Sequence, residues 1–341
     1  MICGGCKNRR PRIGWKREFT YAELYAATDG FSMKNFLSEG GCGSVYKGQI
    51  HGMNIAVKQH RINGNTNNNM QGDKEFRSEV DALSKVRHEN VVVMLGSCSE
   101  GNHRLLVYEF VCNGSLNQHL HQHCRRTLSW ENRIKVAMGA ARGLLYLHDN
   151  NIIHRDMTPN NILLTHDFET LLGDFGLAIT SEEERERSEE CVGGDEDYVA
   201  PEYAEDGKLS TKTDVYSFGV VLLQLITGIR ATDRTRLGPT RSLVEWARPF
   251  LKEKKCGSVI DKRIMEAHDC HQLYWMTRLA HSCLSQNPHK RLTMAQVVEA
   301  LSHIAEGCTC SEKLKNCVSS SHTHLSSSLL ISASYATQTQ G

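Results

Sequence analysis

Chemistry in this chain starts with a glycine-rich run, Glu39-Gly40-Gly41-Cys42-Gly43-Ser44-Val45, placed between two apolar segments. Glycines in such a strand–turn–strand let backbone N–H groups approach a phosphate closely, although an ordinary hairpin turn accounts for the same run. In Ile55-Ala56-Val57-Lys58, strand alternation puts Ile55 and Val57 on one face and Ala56 with Lys58 on the other. Lys58 then lies under the glycine turn, beside a small residue that leaves room for a flat ligand. Glu79 shares a helical stripe with Phe76 and Leu83, so it points inward. A carboxylate there needs a cation, and Lys58 is the partner the spacing offers. Farther on come His154-Arg155-Asp156, then Asn161, Asp174-Phe175-Gly176 and Ala200-Pro201-Glu202, in that order.

The elements that must hold these residues fall into two halves. Thr20-Tyr21-Ala22-Glu23 fits a capping box that opens a short helix through Ala27. Gly- and Ser-punctuated strands run to about residue 60, and 63–69 reads as a polar loop. The spacing of Phe76, Val80, Leu83 and Val86 predicts a helix from Asp73, and strands are expected at Val91–Leu95 and Leu105–Phe110. From Trp130 helical patterns dominate, as in Ile134, Ala137, Ala141, Leu144 and Leu145. A strand-rich half followed by a helical half is an α+β layout of two lobes.

Composition narrows the class further. The 341 residues carry 40 Lys and Arg against 39 Asp and Glu, a net charge of +1, which disfavours a nucleic-acid partner. Thirteen cysteines, an odd number at irregular spacings, with no apolar leader at Met1–Arg12, point to reduced thiols and a cytoplasmic location. The run Val220–Ile226 is too short to span a bilayer and reads as a buried helix. Lys7, Arg9, Arg10, Arg12, Lys16 and Arg17 give the first seventeen residues a charge of +6 beside Cys3-Gly4-Gly5-Cys6. Acylation of Cys3 or Cys6 with the basic cluster as a second lipid signal is one reading. Half a zinc site without its companion pair and a plain solvated tail are the others. Ile at position 2 excludes N-myristoylation.

The ordered motifs from Lys58 to Ala200-Pro201-Glu202 make the chain resemble a eukaryotic protein kinase. Phe19-Thr20-Tyr21-Ala22-Glu23-Leu24, Leu106-Val107-Tyr108-Glu109-Phe110 and Asp214-Val215-Tyr216-Ser217-Phe218-Gly219 are similar to plant receptor-like kinases, of the cytoplasmic kind without ectodomain or membrane span. The resemblance implies a kinase domain at 19–305, with a mainly antiparallel β lobe and one key helix at 19–111 and a larger α-helical lobe at 112–305. An arm at 1–18 precedes it and a disordered Ser/Thr-rich tail at 306–341 follows. It implies ATP with Mg²⁺ or Mn²⁺ as cofactors and protein hydroxyls, serine or threonine, as acceptors. By resemblance Lys58, held by Glu79, pairs with the phosphates, Asp174 and Asn161 hold the metal, and Asp156 orients the substrate hydroxyl and takes its proton. Ser38, Gly40 and Gly43 belong to the phosphate loop. Val45 and Ala56 cover the adenine, Leu163 lies below it, Tyr108 stands at the back, and the backbone at Glu109 and Val111 supplies the hinge. Arg155 is expected to bind a phosphate on the activation segment, with Ser181 and Ser188 as sites, and Glu202 to pair with Arg291 as a structural clamp. An upstream membrane receptor kinase and contact with the plasma membrane's cytoplasmic face complete the expected partners.

Four positions depart from the family pattern. Ser38 replaces the first loop glycine and Cys42 the aromatic at the loop tip, which weakens ATP binding. Thr158 stands where Ser/Thr kinases carry a lysine, and losing one preorganised contact commonly costs about 10²–10³ in rate. Asp195 stands where a threonine braces the catalytic Asp, and a carboxylate there raises the pKa of one of the pair. Between Ser181 and Asp197 nine acids face two arginines, a charge of −7, so the segment's own acids are an alternative partner for Arg155, and a solvated acidic loop is a third reading. Two function classes follow: an active protein kinase, favoured because every binding and activating residue is retained, and a pseudokinase that serves as a nucleotide-binding scaffold or regulator.

Overall fold

The computed structural model describes residues 17–40, 43–61, 66–120, 127–180, 195–238 and 242–307. Cys3, Cys6, the rest of the arm to Lys16, Cys42, Ser181, Ser188 and the tail from Cys308 lie outside the described residues.

The first lobe is a six-stranded sheet in the order β1-β5-β6-β4-β3-β2. Its strands are β1 (Arg17–Glu18), β2 (Phe36–Gly40), β3 (Gly43–Ile50), β4 (Met53–His60), β5 (Met94–Glu100) and β6 (His103–Glu109). All neighbours are antiparallel except β1, which pairs parallel with β5. Arg17 and Glu18 are therefore not part of a free arm: they are built into the sheet edge, and Arg17 also pairs with Glu23. The helix α1 (Tyr21–Ala27) opens on the expected capping box of Thr20 and Glu23. It packs Leu24 into a small apolar cluster with Phe19, Ile55, Val57, Cys98, Leu105 and Val107 on the sheet's outer face.

The helix α2 (Thr66–Lys85) crosses the other face. It begins seven residues before the expected Asp73, taking in part of the stretch read as a loop: packing of the stripe from Phe76 onward outweighs the low helix propensity of Asn67, Asn68, Asn69 and Gly72. The expected strand at Val91–Leu95 starts only at Met94, since Val91 bridges to Leu172 of the other lobe and Val92 donates to the Leu172 carbonyl at 2.8 Å.

The second lobe is helical, with α3 (Leu116–Leu120), α4 (Trp130–Asp149), α5 (Pro201–Asp206), α6 (Thr211–Thr227), α7 (Arg234–Leu237), α8 (Leu243–Lys252), α9 (Cys270–Cys283) and α10 (Met294–Ala305). Short pairs β7 (Ile152–Ile153) with β10 (Ile179–Thr180) and β8 (Ile162–Leu164) with β9 (Thr170–Leu172) lie at its junction with the sheet. The run Val220–Ile226 is buried inside α6, as its all-round hydrophobicity requires. One large core joins α4, α6, α9 and α10 and extends to Phe76, Leu83 and Leu106 of the first lobe. This continuity holds the two lobes around the junction where the chemistry-bearing residues collect. Among the described residues no helix is long and apolar enough to cross a membrane.

Candidate active site

Strand alternation in β4 works as the sequence implies. Ile55 and Val57 enter the outer cluster, while Ala56 and Lys58 face the interlobe core. Lys58 is 5% exposed and Glu79 is 0% exposed. The Lys58 Nζ donates to Glu79 Oε2 at 2.8 Å and to Asp174 Oδ1 at 2.6 Å, so one ammonium ties β4, α2 and the Asp174-Phe175-Gly176 turn together. Burial works against charge on Glu79, yet Lys58 and then His60 beside it hold its carboxyl well below the ordinary carboxylate value. Its other oxygen, Oε1, accepts from the Tyr108 hydroxyl and from the Phe175 backbone N–H at 3.3 Å.

The roof of the cleft is the β2–β3 hairpin. Gly40 pairs with Gly43, and Ser38 pairs with Val45. At Gly43 (φ +153°) a Cβ would sit 2.0 Å from the Gln59 carbonyl oxygen, so close approach to β4 requires glycine there. Val45 lies across from Lys58 in the β3–β4 ladder. Ala56, Val111 and Leu163 are half-buried against the main core. Glu109, expected as a hinge residue, has its own N–H committed to the Val93 carbonyl (3.0 Å), and its carboxylate accepts from the Val93 N–H (3.0 Å).

Below, Asp156 and Asn161 are joined. The Asn161 Nδ2 donates to Asp156 Oδ2 at 2.7 Å and to the Asp156 carbonyl at 2.8 Å, which turns the amide oxygen the other way. Asp156 has its pKa raised, by desolvation first, then by the charge of Asp174 and, less, of Asp195. Asp195 is itself raised, by desolvation first and then by Asp197 and Glu196. Both Arg155 (φ +68°) and Asp174 (φ +58°) hold left-handed backbone conformations, which cost free energy and mark over-determined positions.

Asp214, quoted only as part of a motif in the sequence, proves to be the anchor of this loop. It is fully buried and accepts from the backbone N–H of His154 and of Arg155, both at 2.8 Å, and from His148 Nε2 at 2.9 Å. Burial opposes its ionisation, but the His148 hydrogen bond and charge overcome it and its pKa is lowered. A carboxylate at the fourth position of a helix whose later turns are apolar on every side was the available signal. Arg155 does not wait unengaged: its guanidinium donates to the Leu177 carbonyl at 3.1 Å and to the Tyr203 hydroxyl. Glu202 and Arg291 form a two-pronged ion pair (2.6 and 2.9 Å), and Arg291 also stacks over Tyr216.

The donor set suits a hard divalent cation shared with phosphates. Asp174 and the Asn161 amide oxygen supply oxygen ligands, and no cluster of three or more His, Cys, Asp or Glu able to hold a metal occurs among the described residues. A cation of the Mg²⁺ kind is bound in this way, through one or two protein oxygens plus substrate oxygens and water, whereas a zinc centre needs a fuller protein cage.

Comparison with known proteins agrees with this geometry. Residues 31–301 match the family described as protein tyrosine and serine/threonine kinase. The chain is 44% identical over 298 residues to the proline-rich receptor-like protein kinase PERK8 of Arabidopsis thaliana, covering 84% of this chain and 43% of that protein. It is 43% identical to PERK10 of the same plant over 303 residues, 86% of this chain and 39% of the relative. With PERK3, also from Arabidopsis thaliana, identity is 42% over 317 residues, 87% of this chain and 61% of the relative. The chain thus spans about two-fifths of the length of PERK8 and PERK10.

Proposed function

The chain belongs to the protein tyrosine and serine/threonine kinase family, and from that premise we propose that it is an ATP-dependent, serine/threonine-directed protein kinase of the plant receptor-like group. The observation that carries this reading is the single connected array Glu79–Lys58–Asp174 beside Asp156–Asn161, each link 2.6–2.8 Å long. A buried ammonium on two carboxylates beside a carboxylate–amide pair is the arrangement that positioning a phosphoryl group and its acceptor requires.

Each residue then has a job. Lys58, positioned by Glu79, meets the α- and β-phosphate oxygens of the nucleotide. Asp174 and the Asn161 amide oxygen hold Mg²⁺ or Mn²⁺, which supplies charge neutralisation on the transferring phosphoryl group. Asp156 orients the acceptor hydroxyl and accepts its proton at the carboxylate, and its raised proton affinity suits that task. Ser38, Gly40 and Gly43 form the loop over the phosphates. Val45, Ala56 and Leu163 sandwich the adenine, Tyr108 closes the rear, and the Glu109 carbonyl with the Val111 backbone forms the hinge contact. A phosphate on Ser181 or Ser188 must draw Arg155 away from Tyr203 to bind it, so Tyr203 is its competitor.

Protein substrates, an upstream membrane receptor kinase and a station at the cytoplasmic face of the plasma membrane complete the proposal. The first is tested with purified chain, Mg-ATP carrying a labelled γ-phosphate, and a generic protein acceptor. Wild type incorporates label and Asp156→Asn falls to background; equal signals from the two sink the kinase reading. The membrane station rests on Cys3, Cys6 and the basic residues Lys7, Arg9, Arg10, Arg12 and Lys16 beside them. Replacing both cysteines by serine should release the protein from membranes on fractionation, and unchanged partitioning rejects it.

A further inference from the structure

Glu79 faces one more polar side chain than the roles above employ. His60 ends β4, two positions past Lys58, so strand alternation sends both side chains to the same side. Its side chain is completely buried, and neither ring nitrogen has a hydrogen-bond partner among the described residues. The ring stands edge-on to Phe76 of α2, with centroids 5.8 Å apart and planes at 87°. Nε2 lies 3.5 Å from Glu79 Oε2, the same oxygen that takes Lys58. An imidazole buried without partners is costly, and an aliphatic side chain in this place would carry no such cost. Its retention calls for a use.

The distribution of donors on Glu79 indicates one. Oε1 is held twice, by Tyr108 and by the Phe175 N–H, whereas Oε2 depends on Lys58 alone for a close contact. That same ammonium is shared with Asp174 and, on the kinase reading, with the nucleotide phosphates. Its three N–H donors are thus divided among Glu79, Asp174 and phosphate, and Oε2 has a single close donor that it must share. A closing movement of about half an ångström brings His60 Nε2 into ordinary hydrogen-bond range. Helix α2 carries both Glu79 and Phe76, so the same small shift keeps helix and strand in register.

We infer that His60 is a positioning residue of the phosphoryl-transfer site: its Nε2–H holds Glu79, and through it α2, inward while Lys58 engages the nucleotide. The inference rests on the kinase reading and deepens it. His60 touches no substrate; it acts through Glu79.

The test compares His60→Leu with His60→Gln in the full chain. Three readouts are taken: melting temperature, Mg-ATP affinity from a fluorescent nucleotide analogue, and kcat with KM for ATP. His60→Leu should shift the melting temperature by only a few degrees, because relief of a buried polar ring offsets the loss of its pull on the Glu79 carboxylate. It should also weaken nucleotide binding and raise KM about tenfold, the worth of one hydrogen bond to a charged group. His60→Gln, whose amide keeps a donor in the same place, should recover most of that loss. His60→Leu with unchanged nucleotide affinity and KM overturns the inference, as does a glutamine variant as impaired as the leucine one. Should the leucine variant not fold, His60→Met takes its part against His60→Gln. A wild type that binds nucleotide without transferring phosphate defeats the kinase reading, and the affinity comparison still decides the role of His60. A wild type that binds no nucleotide overturns both.

Discussion

Thr158 stands where the resemblance leads one to expect a lysine. It is buried, two positions past Asp156; its N–H donates to the Asp156 carbonyl (3.0 Å) and its own carbonyl accepts from Asn161 N–H (3.1 Å). The backbone thus keeps the catalytic loop's shape while the side chain supplies no cation. Meanwhile Asp195 adds negative charge to the surroundings of Asp156. Thr158→Lys restores a preorganised charge, and kcat at saturating Mg-ATP should rise by about 10-fold or more, against the 10²–10³ commonly lost with one such contact. Combining it with Asp195→Thr should give a change that is not the sum of the two, because both act on Asp156. An unaltered kcat in Thr158→Lys shows that this position does not limit the rate. At this scale the sequence told much. The inward stripe on which Glu79 sits and the alternation that turns Lys58 inward are local regularities, readable without coordinates. His60 was silent, because a lone histidine at a strand end says nothing until its neighbours are known.

Elements are set by capping and periodicity and then joined by polar groups that local patterns do not announce. Arg133, in the first turn of α4, is fully buried, and burial lowers its hold on its proton. It donates to the Leu128 carbonyl (2.9 Å), to the Leu225 carbonyl near the end of α6 (2.7 Å) and to Asp261 (2.6 Å). It is the rivet between α4, α6 and the segment that follows α8. Arg133→Ala leaves the Leu128 and Leu225 carbonyls without this donor while Asp261 keeps Arg263, and each buried group so left costs about 1–3 kcal/mol. The melting temperature should fall by roughly 10 °C on that figure. A fall of less than about 2 °C in differential scanning fluorimetry excludes the rivet. The start of α2 carries the complementary lesson. Asparagines read as loop residues by propensity, yet tertiary packing of the stripe beyond them extends the helix to Thr66.

Across the whole molecule, the buried carboxylates that hold the lobes and the catalytic loop set its response to acid. Glu79, Asp214 and Asp261 all have folded values below their ordinary ones of 4.5, 3.8 and 3.8: burial opposes each charge, but Lys58, His148 and the Arg263–Arg133 pair respectively prevail. A depressed folded value means that their stabilisation is complete above the ordinary carboxylate range and is lost as pH falls through it. The melting temperature should therefore hold from neutrality to about pH 5 and drop steeply below about pH 4. Asp214→Asn should be less stable at neutral pH and show a shallower acid decline; an identical acid slope in wild type and variant rejects Asp214 as a contributor. Sequence alone determined the two-lobed α+β plan, the capped first helix, the buried α6 and the membership of the Lys58–Glu79 and Asp156–Asn161 groups. These follow from period, capping and motif order, which act over a few residues. Only the tertiary structure decided that Tyr108 and His60 converge on Glu79, that Tyr203 occupies Arg155 and that Asp214 anchors the catalytic loop. Those contacts join residues from 19 to 66 positions apart, and their partners are chosen by how the lobes pack, which no local pattern encodes.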